Sequence, residues 1–282
     1  MYKKFFGFTE KPFNTTPDSK FFFPSAKHSE ALDSLVYAIN ERKGFVAITG
    51  EIGAGKTTIS RALLNKLDIT TKVALITNTH LTCKELIAQI LEEFEVAYQP
   101  GTKQKLLAQL NDYLIKQLAG GINVVLLIDE AQNLSSMVLE EVRMLSNLET
   151  EKEKLIQIIL IGQPQLKAKL ASPKLEQFKQ RISVFYHLNA LNQIEVEQYI
   201  RHRLKLAGVE DLEVFTPEAI SLIHEYSRGI PRIINIACDS ALLSGYATDT
   251  KVITAEMVSE VIRESGFSSN NNSMEINIPD SI

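Results

Sequence analysis

A glycine-rich segment of eight residues sets the strongest limit on how this chain folds: Gly50-Glu-Ile-Gly-Ala-Gly-Lys-Thr57. The segment leaves a β-branched run and enters a helical pattern, which is the setting of a G-x-x-x-x-G-K-[ST] phosphate-binding loop. Glycines let the main chain wrap closely around phosphate oxygens, and the following helix adds the positive end of its dipole. We expect Lys56 to reach the β- and γ-phosphates of ATP and the Thr57 hydroxyl to ligate Mg²⁺. The expected nucleotide-binding set is Gly50, Glu51, Ile52, Gly53, Ala54, Gly55, Lys56, Thr57 and Thr58.

Short apolar runs alternate with longer helical patterns on both sides of this loop, which is typical of a parallel sheet covered by helices. Most of the runs are almost continuously apolar, as expected for strands buried on both faces. The strand candidates are residues 45–49, 73–77, 124–128, 156–161 and 183–187, and the helical patterns between them are residues 56–66, 84–93, 105–118 and 137–148. The sequence therefore predicts an α/β fold of the P-loop NTPase type.

Beyond residue 187 the patterns are helical only, over residues 195–206, 217–227, 232–247 and 255–264. Thr216 and Pro217 form a good helix start, because a capping hydroxyl precedes a proline at the first helical position. We expect an N-terminal segment packed on the ATPase core, an α/β nucleotide-binding domain, a smaller all-helical lid and a disordered Ser/Asn-rich tail. Their expected boundaries are residues 1–44, 45–191, 192–265 and 266–282.

Two adjacent carboxylates, Asp129 and Glu130, end the apolar run at residues 124–128. A carboxylate at the tip of a central strand, beside a phosphate loop, can hold the water shell of Mg²⁺, and we assign this role to Asp129. Glu130 is then the candidate general base that polarises the attacking water. Strands often end in polar residues, so two carboxylates alone are a weak signal. Their position on a strand that follows a phosphate loop is what favours a role in metal binding and catalysis.

The segment Gly162-Gln163-Pro164 ends the fourth predicted strand. If this strand lies between the first and the third, Gln163 points at the γ-phosphate and can orient the attacking water as a sensor. The alternative is that the segment only turns the chain and begins a helix.

Two arginines are further candidates for contact with the γ-phosphate. Arg181 precedes the fifth strand, too far from its own nucleotide, and is expected to reach the γ-phosphate of a neighbouring subunit as an arginine finger. Arg232, in Gly229-Ile-Pro-Arg232, would report the γ-phosphate to the lid. The alternatives are a solvated surface arginine for Arg181 and a capping or ion-paired arginine for Arg232.

Two aromatic clusters, at residues 5–8 and 21–24, precede the first strand. We expect them to cap one edge of the sheet as core, and part of the same segment could also wall a purine pocket. His28 is a weaker candidate for holding the nucleotide at the edge of that pocket.

Composition narrows the classes of function. The chain has 282 residues, a formal net charge of −4 and a pI of about 5.8, so it has no global positive field to bind nucleic acid indiscriminately. The apolar stretch at its N-terminus is too short for the apolar region of a secretory signal, so we do not expect one. Its apolar runs are of strand length, and its two cysteines, Cys83 and Cys238, fit a reducing compartment. Local basic clusters keep a DNA-binding alternative open: Lys167, Lys169, Lys174 and Lys179, and Arg201, Arg203 and Lys205.

Taken in order, these motifs resemble those of the AAA+ ATPases. More narrowly, the chain looks like the ExeA/GspA-type ATPase module of bacterial general secretion, and its shorter architecture favours the related MshM-type ATPases of mannose-sensitive haemagglutinin (type IV) pilus biogenesis. The resemblance covers roughly residues 2–264 and rests on Phe6-Gly-Phe8, Pro12-Phe13, Pro17-Asp18, His28-Ser-Glu-Ala-Leu32, Gly44-Phe45, Gly50–Thr58, Asp129-Glu-Ala-Gln132, Gly162-Gln-Pro164, Gln180-Arg-Ile182 and Gly229-Ile-Pro-Arg-Ile-Ile-Asn235.

The resemblance implies a strand order of 5-1-4-3-2, a nucleotide site between the α/β domain and the lid, and ring-like homo-oligomers with arginine fingers acting in trans. It also implies a cytoplasmic protein that helps to build an envelope machine at the inner membrane. Secretion-type relatives continue into a transmembrane helix and a peptidoglycan-binding domain that this sequence lacks, so a separate membrane-spanning partner is expected. Gln163 departs from the Asn or Thr of many AAA+ sensors. The alternatives are a DNA-targeting helper ATPase of the transposition type and a scaffold that binds ATP with little turnover.

Overall fold

Five parallel strands form a single sheet in the computed structural model, which describes residues 2–16, 18–151, 153–209 and 213–264. The strands are β1 (Phe45–Gly50), β2 (Thr71–Ile76), β3 (Asn123–Ile128), β4 (Gln157–Gly162) and β5 (Ile182–Leu188). Their order is β2-β3-β4-β1-β5, which is the predicted order 5-1-4-3-2 counted from the other edge. The predicted P-loop type of α/β fold is confirmed.

Eight α-helices lie before and between the strands in the described residues, and all but the first of them surround the sheet. They are α1 (Tyr2–Phe6), α2 (Ala26–Asn40), α3 (Lys56–Lys66), α4 (Cys83–Glu93), α5 (Lys103–Ala119), α6 (Ser136–Leu145), α7 (Pro164–Leu170) and α8 (Glu176–Lys179). A helical region follows β5, made of α9 (Gln193–Leu206), α10 (Pro217–Ser227), α11 (Pro231–Ala247) and α12 (Ala255–Glu264). One predicted helix is shorter than expected: α6 ends at Leu145, because the Ser146 hydroxyl turns back to donate to the carbonyl oxygen of Arg143 at 2.7 Å.

The sheet is buried on both faces, which explains its nearly continuous apolar strands. Alternate residues of β1 enter different cores: Ala47 packs in the cluster that contains α4, α5 and α6, whereas Ile48 packs in the cluster that contains α2 and α3. Both residues are fully buried. Burial on two faces fixes the strand register, because a shift of one residue would exchange the two cores.

The register places the ends of β1, β3 and β4 at one edge of the sheet. Thr49 near the end of β1 pairs with Gly162 of β4, and Ile128 of β3 pairs with Leu160 of β4. The segments that follow these strands therefore meet at the carboxyl edge, where ligands bind in open α/β sheets.

The first aromatic cluster does not cap the sheet edge, so that expectation is wrong. Phe6, Phe8 and Phe13 are buried among side chains of the helical region, and Phe5 packs edge-on against Tyr246 of α11. The hydroxyl of Tyr2 also donates to Asp239 of α11. The physical reason is that these rings are buried against the apolar side of α11, whereas α2 already covers the edge strand β5.

Two other expectations concern chain termini and membranes. The expected disordered tail, residues 266–282, lies outside the described residues. Among the residues that are described, none of the helices combines the length and the apolar character needed to cross a bilayer.

The two cysteines, Cys83 and Cys238, are both free thiols.

Candidate nucleotide-binding site

The glycine-rich loop joins the end of β1 to the start of α3. Gly53 and Gly55 have φ angles of 83° and 94°, a conformation that glycine adopts without a steric penalty. The Nζ atom of Lys56 donates to the carbonyl oxygens of Gly50 and Glu51, both at 2.9 Å, so the ammonium group lies across the loop. This is the geometry of a phosphate cradle with its lysine folded over the binding surface.

Lys56 and Asp129 are buried charges that lie close to each other. Their exposed fractions are 6% and 7%. Burial lowers the pKa of Lys56 and raises the pKa of Asp129, while their mutual attraction opposes both shifts. A buried acid and a buried base in one cleft are typical of a functional site.

The Thr57 hydroxyl lies 3.4 Å from Oδ2 of Asp129, which brings two oxygen ligands together at the first turn of α3. This set fits Mg²⁺, which is usually held by one or two protein oxygens together with substrate phosphates and water. The described residues contain no group of three or more His, Cys, Asp or Glu side chains that could hold a metal by itself. The donor set therefore suits a metal that arrives with a phosphate ligand.

Glu130 and Gln163 lie side by side at the same sheet edge. Nε2 of Gln163 donates to Oε2 of Glu130 at 3.1 Å, because β4 lies between β1 and β3 as the sensor hypothesis required. Glu130 has a φ of 51°, the left-handed conformation that is unusual for a residue other than glycine. Such strain is often found where a side chain must take one direction in a binding site.

One cavity of about 350 Å³ lies between the sheet and the helical region. The loop residues Ile52, Gly53, Gly55, Lys56, Thr57 and Thr58 form one side of it, with Glu130 and Gln163. Phe21, Phe22 and Phe23 line it too, so the second aromatic cluster is where the purine-pocket hypothesis needs it. The volume lies within the range of small-ligand sites.

Arg232 reaches the cavity from the start of α11. Its backbone N–H lies 3.3 Å from the carbonyl oxygen of Gly53, so the helical region contacts the glycine-rich loop directly. The side chain lines the cavity and is exposed.

Arg181 lies apart from the cavity. Ile182 pairs with Phe45 at the start of β1, so Arg181 is at the amino end of the strands, opposite the glycine-rich loop. Its Nη1 donates to the Ser146 hydroxyl at 3.0 Å. The structure thus agrees that Arg181 cannot reach the nucleotide site of its own chain.

The sequence did not predict the contacts of Gln132 or the burial of Arg203, which was expected only as part of a surface basic cluster. Nε2 of Gln132 donates to Oε2 of Glu130 at 2.6 Å, and this contact follows from the left-handed turn at Glu130, which no sequence pattern announces. Arg203 is only 5% exposed; it donates to the carbonyl oxygens of Pro12 and Asn14 and lies 4.7 Å from the Phe21 ring centre. The proposed basic cluster that includes Arg203 is therefore not a continuous surface. The sequence did hold one signal for this burial, because Arg203 falls on the apolar face of α9.

Known proteins with similar sequences and structures identify the class of fold. Residues 39–170 match the family model described as an AAA domain. The ORC2 protein of Aeropyrum pernix in its ADP form has a TM-score of 0.67 and 15% identity, over 91% of this chain and 73% of that one. Cdc6p from Pyrobaculum aerophilum has a TM-score of 0.67 and 17% identity, over 88% of this chain and 71% of that one. At these identities the likeness shows the fold alone: this chain has the P-loop fold of AAA proteins.

A more specific similarity is to General secretion pathway protein A from Aeromonas hydrophila. The two sequences are 46% identical over 248 residues, which cover 88% of this chain. The same alignment covers 45% of the relative, so this chain spans less than half of that protein's length.

Proposed function

We propose that this protein is an ATPase that binds ATP with Mg²⁺ and hydrolyses it to ADP and phosphate. The observation that carries the proposal is the pairing of the Thr57 hydroxyl with Asp129 at 3.4 Å, next to Lys56 on the glycine-rich loop. Lys56 and Thr57 line the same cavity as Glu130. A phosphate cradle, a pair of metal-binding oxygens and a second carboxylate nearby are the parts that phosphoryl transfer to water requires. The match of residues 39–170 to an AAA domain supports the same conclusion.

The chemistry follows from what these side chains can do. Backbone N–H groups of the loop bind the phosphates, and the Lys56 ammonium group stabilises the negative charge on the β- and γ-phosphates. Glu130 accepts a proton from water, whose oxygen forms a bond to the γ-phosphorus as the bond from that phosphorus to the bridging oxygen of ADP breaks. Thr57 and Asp129 would hold Mg²⁺, which when bound neutralises phosphate charge.

Three further residues complete the proposed site. Gln163 orients the attacking water, because its amide already contacts Glu130. Arg232 couples the γ-phosphate to the helical region, because its main chain contacts Gly53. Arg181 acts on the nucleotide of a neighbouring copy in a ring-like assembly, since it lies at the edge of the sheet opposite its own loop.

We further propose that ATP hydrolysis serves the assembly of a general-secretion or type IV pilus complex. Identity of 46% over most of this chain to a general secretion pathway protein supports the secretion role. The MshM-type pilus role rests on the resemblance of the motifs. In either role, the protein would act in the cytoplasm, at the inner membrane, through a separate membrane-spanning partner.

The DNA-targeting alternative is less well supported. The net charge is −4, and two members of its basic clusters are engaged inside the fold. Arg203 is buried, and Lys169 donates to the carbonyl oxygens of Gln132 and Leu134. Salt-sensitive DNA binding that stimulates ATP hydrolysis would favour this alternative.

The test compares phosphate release by the wild type with that by Glu130→Gln, using Glu225→Gln on the exposed face of α10 as the matched control. We expect Glu130→Gln to bind ATP like the wild type and to lose turnover by roughly a hundredfold or more. The control should hydrolyse ATP at the wild-type rate. Normal turnover by Glu130→Gln would remove Glu130 from the role of base.

A further inference from the structure

Gln132 uses both ends of its side-chain amide at the candidate site. Its Nε2 donates to Oε2 of Glu130 at 2.6 Å, and its Oε1 accepts from the backbone N–H of Gln163 at 3.0 Å. The Gln163 N–H can only donate, so the oxygen of the amide must face it and the nitrogen must face the carboxylate. The orientation of this amide is therefore fixed by its partners.

The main chain that carries Gln132 is held in place as well. Ala131–Asn133 form a short 3-10 turn directly after the left-handed Glu130. The Nζ atom of Lys169 on α7 donates to the carbonyl oxygens of Gln132 and Leu134. The turn is thus bound to α7, the helix that begins just after Gln163.

Gly162 provides the space for this contact. A methyl group added at Gly162 would lie 2.8 Å from Oε1 of Gln132 and 2.9 Å from a methyl carbon of Leu166. Both distances are too short for real contacts, so a side chain at position 162 would displace the amide and the end of the Leu166 side chain. The absence of a side chain at Gly162, the last residue of β4, therefore leaves room for the Gln132 amide.

The two amides leave one side of the Glu130 carboxylate for water. Gln132 and Gln163 both donate to Oε2, so Oε1 carries neither of these bonds. Glu130 and Gln163 line the cavity, whereas Gln132 is not one of its lining residues. A side chain that binds the base without lining the cavity is suited to fix the direction of the base.

We propose that Gln132 is a positioning residue that ties Glu130 to the end of β4, so that the base and Gln163 keep a constant geometry towards the attacking water. The proposal rests on the ATPase function proposed above. It concerns the placement of Glu130 and not the affinity for ATP, because the Gln132 amide binds the Glu130 carboxylate and the Gln163 N–H and does not line the cavity.

The test uses Gln132→Met, which keeps the length of the side chain and removes the amide, together with Gln132→Ala. Gln165→Ala, an exposed residue on α7, is the matched control. We expect the Gln132 variants to lose roughly tenfold to a hundredfold in kcat, with ATP affinity within about twofold of the wild type. In a Glu130→Gln background, Gln132→Met should cause no additional loss in single-turnover hydrolysis.

A second readout needs no nucleotide. Hydrogen exchange of the Gln163 backbone amide should be about tenfold faster in Gln132→Met, because this N–H loses its acceptor. Gly162→Ala keeps Gln132 but displaces its amide, so it should accelerate the same exchange and lower kcat. This variant decides the question if the Gln132 variants do not fold.

Different results separate the two proposals. A kcat that is unchanged or raised while Gln163 exchanges faster overturns the positioning role, as does an equal loss of kcat in the Glu130→Gln background. Unchanged exchange at Gln163 shows that the tie itself is absent. A wild-type protein that hydrolyses no ATP overturns the proposed function, and the exchange experiment then still tells whether Gln132 binds the end of β4.

Discussion

The Nε2 atom of His28 lies 3.1 Å from the carbonyl oxygen of Ala54, so the first turn of α2 contacts the glycine-rich loop. Nδ1 of the same ring lies 2.8 Å from the Ser25 hydroxyl, the N-cap of α2. A carbonyl oxygen only accepts, so Nε2 carries a proton, and the Ser25 hydroxyl can donate to Nδ1 when the ring is neutral. Burial lowers the pKa of His28 and favours the neutral form.

Protonation of His28 is expected to destabilise the protein. The pKa is about 6.5 in an unfolded chain and lower in the folded one, so the unfolded state binds more protons between the two values. The free energy of unfolding should therefore fall as the pH drops below about 6.5. Urea unfolding of the wild type and of His28→Gln between pH 5 and 8 tests this, with the exposed His80→Gln as control.

The variant should have a flatter pH dependence than the wild type. Some dependence will remain, because burial lowers the pKa of His202 in the same direction. A slope in His28→Gln equal to that of the wild type would show that the ring is not held neutral in the folded state.

Gly229 is expected to be essential for joining the helical region to the sheet. A methyl group there would lie 1.9 Å from the carbonyl oxygen of Leu191, and the φ of Gly229 is 73°. Gly121 has a φ of 72° but nothing within 4 Å of an added methyl, so Gly121→Ala measures the backbone strain alone. In chemical denaturation we expect Gly121→Ala to lose about 1 kcal/mol and Gly229→Ala about 3 kcal/mol or more. Equal losses would mean that Leu191 moves away freely.

Arg203 should contribute far more to stability than its neighbour Arg201. Arg203 is buried and donates to the carbonyl oxygens of Pro12 and Asn14, whereas Arg201 is exposed and pairs with Glu197. Arg203→Met leaves the carbonyl oxygen of buried Pro12 without this donor and should lower the free energy of unfolding by about 2–4 kcal/mol. Arg201→Met should change it by roughly 0.5 kcal/mol or less. Similar small losses in both would argue that the N-terminal segment is not held by Arg203.

Arg181 is expected to act in trans. Arg181→Ala and Lys56→Ala should each lack ATPase activity, and mixtures of the two proteins should recover part of it, because some sites then combine an intact loop with an intact finger. Lys179→Ala, an exposed residue two positions away, should stay active alone. No recovery at any mixing ratio would assign Arg181 to a structural role beside Ser146.

Much of the fold could be predicted because its signals are local. β3 and β4 are continuous apolar runs, and the loop at Gly50–Thr57 is bounded by a strand and a helix, so the pattern alone locates them. The approach of Gln163 to Glu130 also follows from the order of the strands.

Other features depend on contacts between distant segments, which periodicity does not encode. Phe6 and Phe8 would be equally apolar if they packed on the edge of the sheet. Their spacing in the sequence therefore does not show that they pack against α11. The role of Gln132 depends on the backbone conformation of Glu130 and on the space at Gly162. Both are properties of the folded chain.

The central claim is that the glycine-rich loop binds the triphosphate of ATP, and calorimetric titration of the purified protein with ATP and Mg²⁺ tests it most directly. We expect saturable binding by the wild type, a loss of at least about a hundredfold in affinity for Lys56→Ala, and wild-type affinity for Lys66→Ala, an exposed lysine on the same helix. The account is contradicted if the wild type has no measurable affinity at millimolar nucleotide, or if Lys56→Ala binds ATP as well as the wild type does.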